Sequence, residues 1–498
     1  MNRKRRDYRG VVQPVAVVVL GLGFAIGICA GAGAILDAYV PRRAGVPAGG
    51  STALLIAAAV TLVTGAGLFA YGRRHAQDAP NRREATLAVV LIWAAAAFFG
   101  GIPFVAAGVL SPVDAFFESM SGLTTTGATV VTDIEGTLSR PLLLWRSLLQ
   151  WLGGMGIVVL FVAVFPTVGA GGKHMFRGEV PGTTAEGLRP RIAETSFTLW
   201  RLYAALTAVL VAVLVALGMS PFEAVCHAFT TMSTGGFSTR DASIAAFRDS
   251  RIELTIAGFM LVGSINYGLY FGALRQRTIR ELSRNLELRT FLVIVLVAAS
   301  ILTLVGLGRR DGSLFEAFRY GVFTTATFVS STGYGTEDYM AYPPIGLLVV
   351  LFLMFAGGCS GSTAGGIKIE RFVVLAKLSI AEVTRSIRPN VIHTIRINHA
   401  VVKTDILSAV SAFAILYVVS LLVAMALVMA LDGAPVTTAF GAVLSCLSNM
   451  GPAPFHGGAD HFAGYSVAAK LVFTLAMLLG RLEFFTVLAL LAPSFWKR

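Results

Sequence analysis

Short runs of serine, threonine, asparagine and glycine recur four times in this 498-residue chain, each set among apolar residues. They are Thr125, Thr126 and Gly127; Ser233, Thr234 and Gly235; Ser331, Thr332 and Gly333; and Ser448, Asn449 and Gly451. Carbonyl oxygens on such stretches can stand in for the water shell of a cation. Glycine has no side chain to clash at positive φ, so neighbouring carbonyls can all face one axis. Four copies in one chain would close a ring around that axis.

Two further features bear on the passage of an ion. Gly357, Gly358, Cys359, Ser360, Gly361, Ser362, Thr363, Ala364, Gly365 and Gly366 include five glycines in ten residues. They lie in a run from about Pro343 to Val383 that would be roughly 60 Å long as a helix, twice the thickness of a bilayer core. The run is expected to unwind at its glycines. Broken backbone at membrane depth is tolerated only in a protein-lined or wet interior, which puts this segment beneath the four polar runs, in the position of a gate. Arg481, inside the last apolar stretch, costs about 2.5–3.5 kcal/mol to insert and needs a polar setting. An ion pair with Glu483 or a snorkelling side chain would also supply one, although two residues apart on a helix the pair faces different ways. For Lys470 and Arg146, nearer the span ends, snorkelling is expected.

The elements that position the four runs repeat as well. The copies read S-P-V-D-A-F-F-E-S-M-S-G-L-T-T-T-G-A from Ser111, S-P-F-E-A-V-C-H-A-F-T-T-M-S-T-G-G-F from Ser220, S-L-F-E-A-F-R-Y-G-V-F-T-T-A-T-F-V-S-S-T-G-Y-G from Ser313, and A-P-V-T-T-A-F-G-A-V-L-S-C-L-S-N-M-G-P-A from Ala434. A small residue followed by Pro112, Pro221 or Pro435 suits a cap and first helical position. Asp114, Glu223 and Glu316 then fall in the first turn, where the helix dipole favours negative charge. About three turns later each helix stops. Too short to span, these are expected to be half-membrane helices whose C-terminal, negative dipole ends point toward the middle of the bilayer. The bland alternatives are re-entrant loops lining a transporter cavity, or Gly and Thr residues that merely permit close helix packing.

Composition agrees with a membrane setting: 55% hydrophobic and 13% charged residues, with a mean hydropathy of +0.75, lie outside the range of soluble domains. Apolar runs long enough to span occur at 11–36, 51–71, 85–110, 202–222, 290–308, 341–367 and 406–431; those at 141–172, 252–274 and 462–496 carry charges. Ten spans are expected. The first follows a basic cluster, Arg3 to Arg6, but is too long for the apolar part of a cleaved signal. Counting spans puts both termini on the face that holds 28 of the 40 Lys and Arg, which the positive-inside rule makes cytoplasmic. The net charge of +13 is thereby a matter of orientation and does not point to nucleic acid. Asp114, Glu118, Glu223, Glu316, Glu337 and Asp338 fall on the other face, where an acidic mouth would concentrate cations. Cys29, Cys226, Cys359 and Cys446 show neither disulfide nor zinc spacing.

These segments resemble the Trk/Ktr/HKT superfamily of potassium transporters over nearly the whole chain. W-L-G-G-M-G-I from Trp151 to Ile157 resembles its signature after the first pore loop, and T-T-T-G-A, S-T-G-G-F and N-M-G-P resemble three of its filter loops. Residues 11–71 resemble the extra helix pair of the membrane subunits of bacterial Trk systems. The resemblance implies an all-α polytopic membrane protein, with four helix, pore loop, helix repeats around a central pore. Those repeats would cover 81–175, 190–275, 285–385 and 400–498, after an N-terminal helix pair within 1–80. It implies that one glycine per repeat, Gly127, Gly235, Gly333 and Gly451, lines the selectivity filter for K+. Gly127 stands where plant members that favour sodium carry serine. S-S-T-G-Y-G in the third loop departs from the family's usual Gly-Phe toward the filter of tetrameric potassium channels. The resemblance also implies a gating role for the 357–366 loop and a pore-facing Arg481 that bars cations until the loop moves. Its implied partners are a TrkA-like cytoplasmic nucleotide-binding regulatory subunit and a second copy in a homodimer, in the bacterial inner membrane.

The residues also admit two other readings. Gly358, Cys359, Ser360 and Gly361 spell the G-x-S-G of intramembrane proteases, which need a histidine base; His227, His393, His399, His456 and His461 offer no obvious partner. Lys368 does not complete a phosphate-binding loop, and no organic cofactor is expected. The closer rival is a symporter coupling potassium to Na+ or H+, but such folds often show inverted repeats and midplane charges, and here the repeats run parallel.

Overall fold

Helices that are apolar all round have no face to turn to water and must lie in lipid or in a core. The computed structural model describes residues 8–39, 49–74, 81–156, 192–278, 280–308, 312–390, 394–398, 400–456 and 461–496. Helices α1 (Val12–Tyr39) and α2 (Gly50–Arg73) form a hairpin. Four sets of helices follow. The first is α3 (Arg82–Ala106), α4 (Pro112–Leu123) and α5 (Arg140–Gly154); the second is α6 (Ile192–Ala216), α7 (Pro221–Met232) and α8 (Ser250–Gly263), with α9 (Tyr267–Gln276) beyond a break. The third is α10 (Leu286–Leu307), α11 (Leu314–Val329) and α12 (Pro344–Phe355), with α13 (Ile369–Ile387) beyond a break. The fourth is α14 (Thr404–Asp432), α15 (Val436–Leu447) and α16 (Val467–Arg481), with α17 (Phe485–Leu491) after it. The only strands among the described residues are a two-residue pair, Arg396–Ile397 against Ala400–Val401, so the all-α polytopic class holds.

The ten expected spans resolve into two kinds. Helices α1, α2, α3, α6, α10 and α14 are long and apolar enough to cross a bilayer unbroken. The outgoing helices α5, α8, α12 and α16 stop after 12 to 15 residues, about two thirds of the bilayer core at 1.5 Å per residue. The break in the third set was expected from its glycines. Those after α8, where the chain turns by 85°, and after α16, where Glu483 and Phe484 both take positive φ, were not. The stretch expected to continue the first outgoing helix to residue 172 lies outside the described residues beyond Gly156.

Polarity is arranged inside out. Phe24, Leu296, Leu304 and Ile415 are 64–68% exposed on the periphery, whereas Thr124, Thr230, Ser330 and Ser445 are fully buried. Two charges expected to snorkel are instead buried in pairs. Arg146, 2% exposed, donates from Nε to Glu118 at 2.7 Å and from a guanidinium NH2 to the Ser238 carbonyl at 3.0 Å. Lys470 reaches Asp114 at the start of α4, 2.6 Å away. The reason is geometric: each faces an acid on a short helix that goes only partway into the membrane, so neither cation has to reach the surface. The acidic mouth is correspondingly reduced. Glu118 is fully buried and Glu223 is paired with Arg240 at 2.6 Å, leaving Glu316 and Asp338 exposed.

Removing one partner of a buried ion pair strands the other and costs about 3–5 kcal/mol. Arg146→Leu is therefore expected to lower the thermal midpoint of the detergent-solubilised protein sharply, and adding Glu118→Gln to recover part of the loss. Equal midpoints for the single and double variants would show that the pair holds nothing together.

Candidate functional site

Each short helix starts with its own local device. Ser111 Oγ accepts from the Asp114 backbone N–H at 3.2 Å and donates to the Asp114 carboxylate at 2.8 Å; Ser220 does the same with Glu223 at 3.3 and 2.9 Å. Ser313 accepts from Glu316 N–H at 3.5 Å. The fourth helix begins at Val436, with Pro435 in the cap position and no side-chain cap. The four helices end at Thr124, Ser233, Ser330 and Ser448. The next residue always takes positive φ: Thr125 at 55°, Thr234 at 54°, Ser331 at 55° and Asn449 at 52°. Two residues further a glycine does so again: Gly127, Gly236, Gly333 and Gly451. Four non-glycine residues in the left-handed region, at one position of four loops, mark a conformation imposed by surroundings.

The four loops close on one another in order. A Cβ on Gly127 would overlap the Gly235 carbonyl oxygen, one on Gly236 that of Thr332, and one on Gly333 that of Met450. The circuit ends where a Cβ on Gly451 would come within 2.8 Å of the Thr126 carbonyl oxygen. One carbonyl from each loop thus lies against the bare Cα of a glycine in another loop.

This geometry corrects the register expected for the second loop. Gly236, not Gly235, is the equivalent of Gly127, Gly333 and Gly451; Gly235 supplies the ring carbonyl, as Thr126, Thr332 and Met450 do. Ser233 and Ser448 are helix-end residues equivalent to Thr124 and Ser330, and Met450 belongs to the ring although it was not singled out. Two adjacent glycines in S-T-G-G hid the offset. Counting from the caps would have found it, since the ring glycine lies sixteen residues after Ser111, Ser220 and Pro435. It lies twenty after Ser313, because α11 has 16 residues and the others 12, about one extra turn.

Side chains tie the loops to each other. Asn449 donates to Thr126 Oγ1 at 3.0 Å and to the Met477 carbonyl at 2.9 Å. Tyr417 on α14 shares a 2.7 Å hydrogen bond with Ser448. The tyrosine of the third loop, Tyr334, reaches back to Thr230 at 2.5 Å, so it braces α7.

Below the helix ends lies the glycine-rich segment, irregular from Ala356 to Lys368 except for one parallel bridge between Ala356 and Ile367. Thr363 Oγ1 is 3.1 Å from the Met232 carbonyl and 3.0 Å from that of Gly263; Gly365 N–H donates to Ser331 Oγ at 2.5 Å. A Cβ on Gly365 would overlap the Ser448 carbonyl oxygen. The second, third and fourth loops are contacted in this way. Arg481 completes the set, donating to Thr125 Oγ1 at 3.2 Å, to the Thr363 carbonyl at 3.1 Å, and to the Gly153 and Gly154 carbonyls at 2.6 and 3.0 Å. The last two lie at the C-terminus of α5, where the helix dipole favours a cation. Glu483 does not pair with Arg481; it is bonded to Arg371. The segment, Asn449, Lys368 and Arg481 line a cavity of about 100 Å³.

The break after α8 has the same cause. Ser264 accepts from Cys359 N–H at 2.9 Å and Tyr267 N–H donates to the Gly361 carbonyl at 3.1 Å, so backbone groups freed by unwinding find partners in the segment. The protease reading finds no free base in His227, whose ring is engaged by the Glu223 carbonyl and Ser238; the Ser360 N–H is bonded to Glu287 at 2.5 Å. His393 and His399 lie outside the described residues.

Comparison with known proteins agrees with this architecture. The model of the TrkH family, described as a cation transport protein, matches residues 51–498. The chain is 39% identical over 450 residues, 90% of its length and 92% of the relative's, to the Trk system potassium uptake protein TrkH of Halomonas elongata. It is 37% identical to TrkH of Escherichia coli K12, covering 88% and 91% of the two chains. The crystal structure of the potassium transporter TrkH from Vibrio parahaemolyticus superposes with a TM-score of 0.86 at 33% identity, over 99% of this chain and 100% of that one.

The register can be tested by substitution. Gly236→Ala forces a side chain into left-handed backbone, about 1–2 kcal/mol by itself, and onto a fixed carbonyl. At Gly235, where φ is not positive, the nearest atoms to an added Cβ are those of the Gln150 side-chain amide. Gly236→Ala is expected to destabilise the purified protein more, by thermal midpoint in detergent; the opposite order would restore the register read from the sequence.

Proposed function

The chain belongs to the TrkH family of cation transport proteins, a family of transporters and not of enzymes, and from that premise we propose that it takes up potassium through a gated, channel-like filter made by the four-loop ring. The observation that carries the reading is the closed circuit of Thr126, Gly235, Thr332 and Met450 carbonyls against Gly451, Gly127, Gly236 and Gly333. An ion entering it exchanges water for oxygens already held in place, at the dipole-negative ends of four helices. Thr125, Thr234, Ser331 and Asn449 form the inner side of the same filter.

The segment 357–366 and Arg481 are the gate in this reading. Their contacts beneath all four loops support it: a fixed positive charge below a cation path is a barrier, and moving the segment would release the Thr363 carbonyl, one of the four hydrogen-bond partners of Arg481. Energy or a regulatory signal then has to come from a cytoplasmic nucleotide-binding subunit of the TrkA type, for which the basic face of 28 Lys and Arg offers a docking surface. The reading includes a homodimer and an inner-membrane setting with both termini cytoplasmic.

The test is rubidium uptake into proteoliposomes, with and without the partner, competed by potassium or sodium. Wild type is expected to be blocked by potassium and little by sodium, and Gly127→Ser to lose much of that preference. Arg481→Gln is expected to raise flux several-fold without the partner. Uptake that needs an inward Na+ or H+ gradient would replace the channel reading with the symporter; no potassium-sensitive flux in any condition would end both.

A further inference from the structure

Four ring carbonyls are equivalent in backbone position, but one of them is held differently. Gln150, fully buried near the end of α5, donates from Nε2 to the Gly235 carbonyl oxygen at 2.6 Å and accepts at Oε1 from the Phe237 N–H at 3.0 Å. Among the described residues, the carbonyls of Thr126, Thr332 and Met450 accept no hydrogen bond from a side chain. The contact is close enough that a Cβ on Gly235 would overlap the Gln150 amide. One turn earlier on the same face, Arg146 lies 3.5 Å over the Phe237 ring and bonds the Ser238 carbonyl. Residues 235 to 238 are therefore strapped to α5 by two side chains. Gln150 is the one that reaches the ring.

An amide suits this position because it offers a donor and an acceptor on one rigid group. The donated hydrogen bond occupies part of the Gly235 oxygen's capacity, so that oxygen pulls less strongly on an ion. The second bond fixes the peptide two residues on, so the loop cannot move inward. A small, strongly hydrated ion such as Na+ needs either a stronger field or a tighter ring than K+, and both are denied.

We propose that Gln150 is a positioning residue for ion selection: it clamps the second loop and so holds the ring at a size and field that disfavour sodium. The inference rests on the filter reading above. Rubidium uptake should be measured in Gln150→Leu, which loses both hydrogen bonds, and in Gln150→Glu, which keeps the size and the acceptor but loses the donor.

Sodium should become at least tenfold more effective as a competitor relative to potassium in both variants, with apparent KM for rubidium changing more than maximal rate. In Gly235→Ala the same drift is expected, and it should not add to that of Gln150→Ala, since each removes the same clamp. If Gln150→Leu does not fold, Gln150→Glu decides. A stable variant with wild-type preference overturns the proposal. A wild type that does not prefer potassium to sodium overturns the filter reading first, and this inference with it.

Discussion

Two atoms cannot share one volume, and the ring of loops is built on that exclusion. Each loop brings a backbone carbonyl into the place where another loop's side chain would begin, and only the glycines Gly127, Gly236, Gly333 and Gly451 leave that place empty. Because each contact joins a different pair of loops, no single loop can relax without opening the circuit. The positive φ at Thr125, Thr234, Ser331 and Asn449 is strain carried by residues that would otherwise avoid it, and the surrounding contacts hold it.

The rest of the molecule meets the demands of placing polar backbone at that depth. Unpaired N–H and C=O groups in hydrocarbon cost several kcal/mol each, and the irregular segment from Ala356 to Lys368 pairs some of its own with the broken end of α8. Three of the short helices carry an acid in the first turn and α4 carries a second, Glu118, at its middle; the cations that answer Asp114 and Glu118, Lys470 and Arg146, come from neighbouring outgoing helices. Arg481 answers a different need: it takes up carbonyls left over at the end of α5. Charge in this interior is thus distributed according to which backbone or carboxylate would otherwise be stranded.

Much of this was legible in the residues. Apolar runs located the long helices, and the Ser-Pro-x-acid pattern located α4 and α7, because both signals depend on local chemistry. The glycines at 357–366 announced the third break for the same reason. What was not legible depended on partners distant in sequence. Nothing local in Gly263-Ser264-Ile265-Asn266-Tyr267 says that the Cys359 N–H will donate to Ser264 and the Gly361 carbonyl accept from Tyr267. The offset at Gly235 and Gly236 turns on which of two identical residues meets Thr332. Arg146 and Lys470 looked like surface-seeking cations because Glu118 and Asp114 are 28 and 356 positions away. Gln150 sits just before a recognisable signature, yet only the fold shows that its amide faces a carbonyl of the ring.

The ring is encoded in one chain instead of being assembled from identical subunits. In a symmetric tetramer any change is made four times over, and a residue tolerable once is often intolerable in quadruplicate. Here Gln150, Arg481, Asn449 and the extra turn of α11 each occupy one quadrant. A substitution alters a quarter of the circumference, so selection can adjust the aperture in small increments and assign separate duties to separate sides.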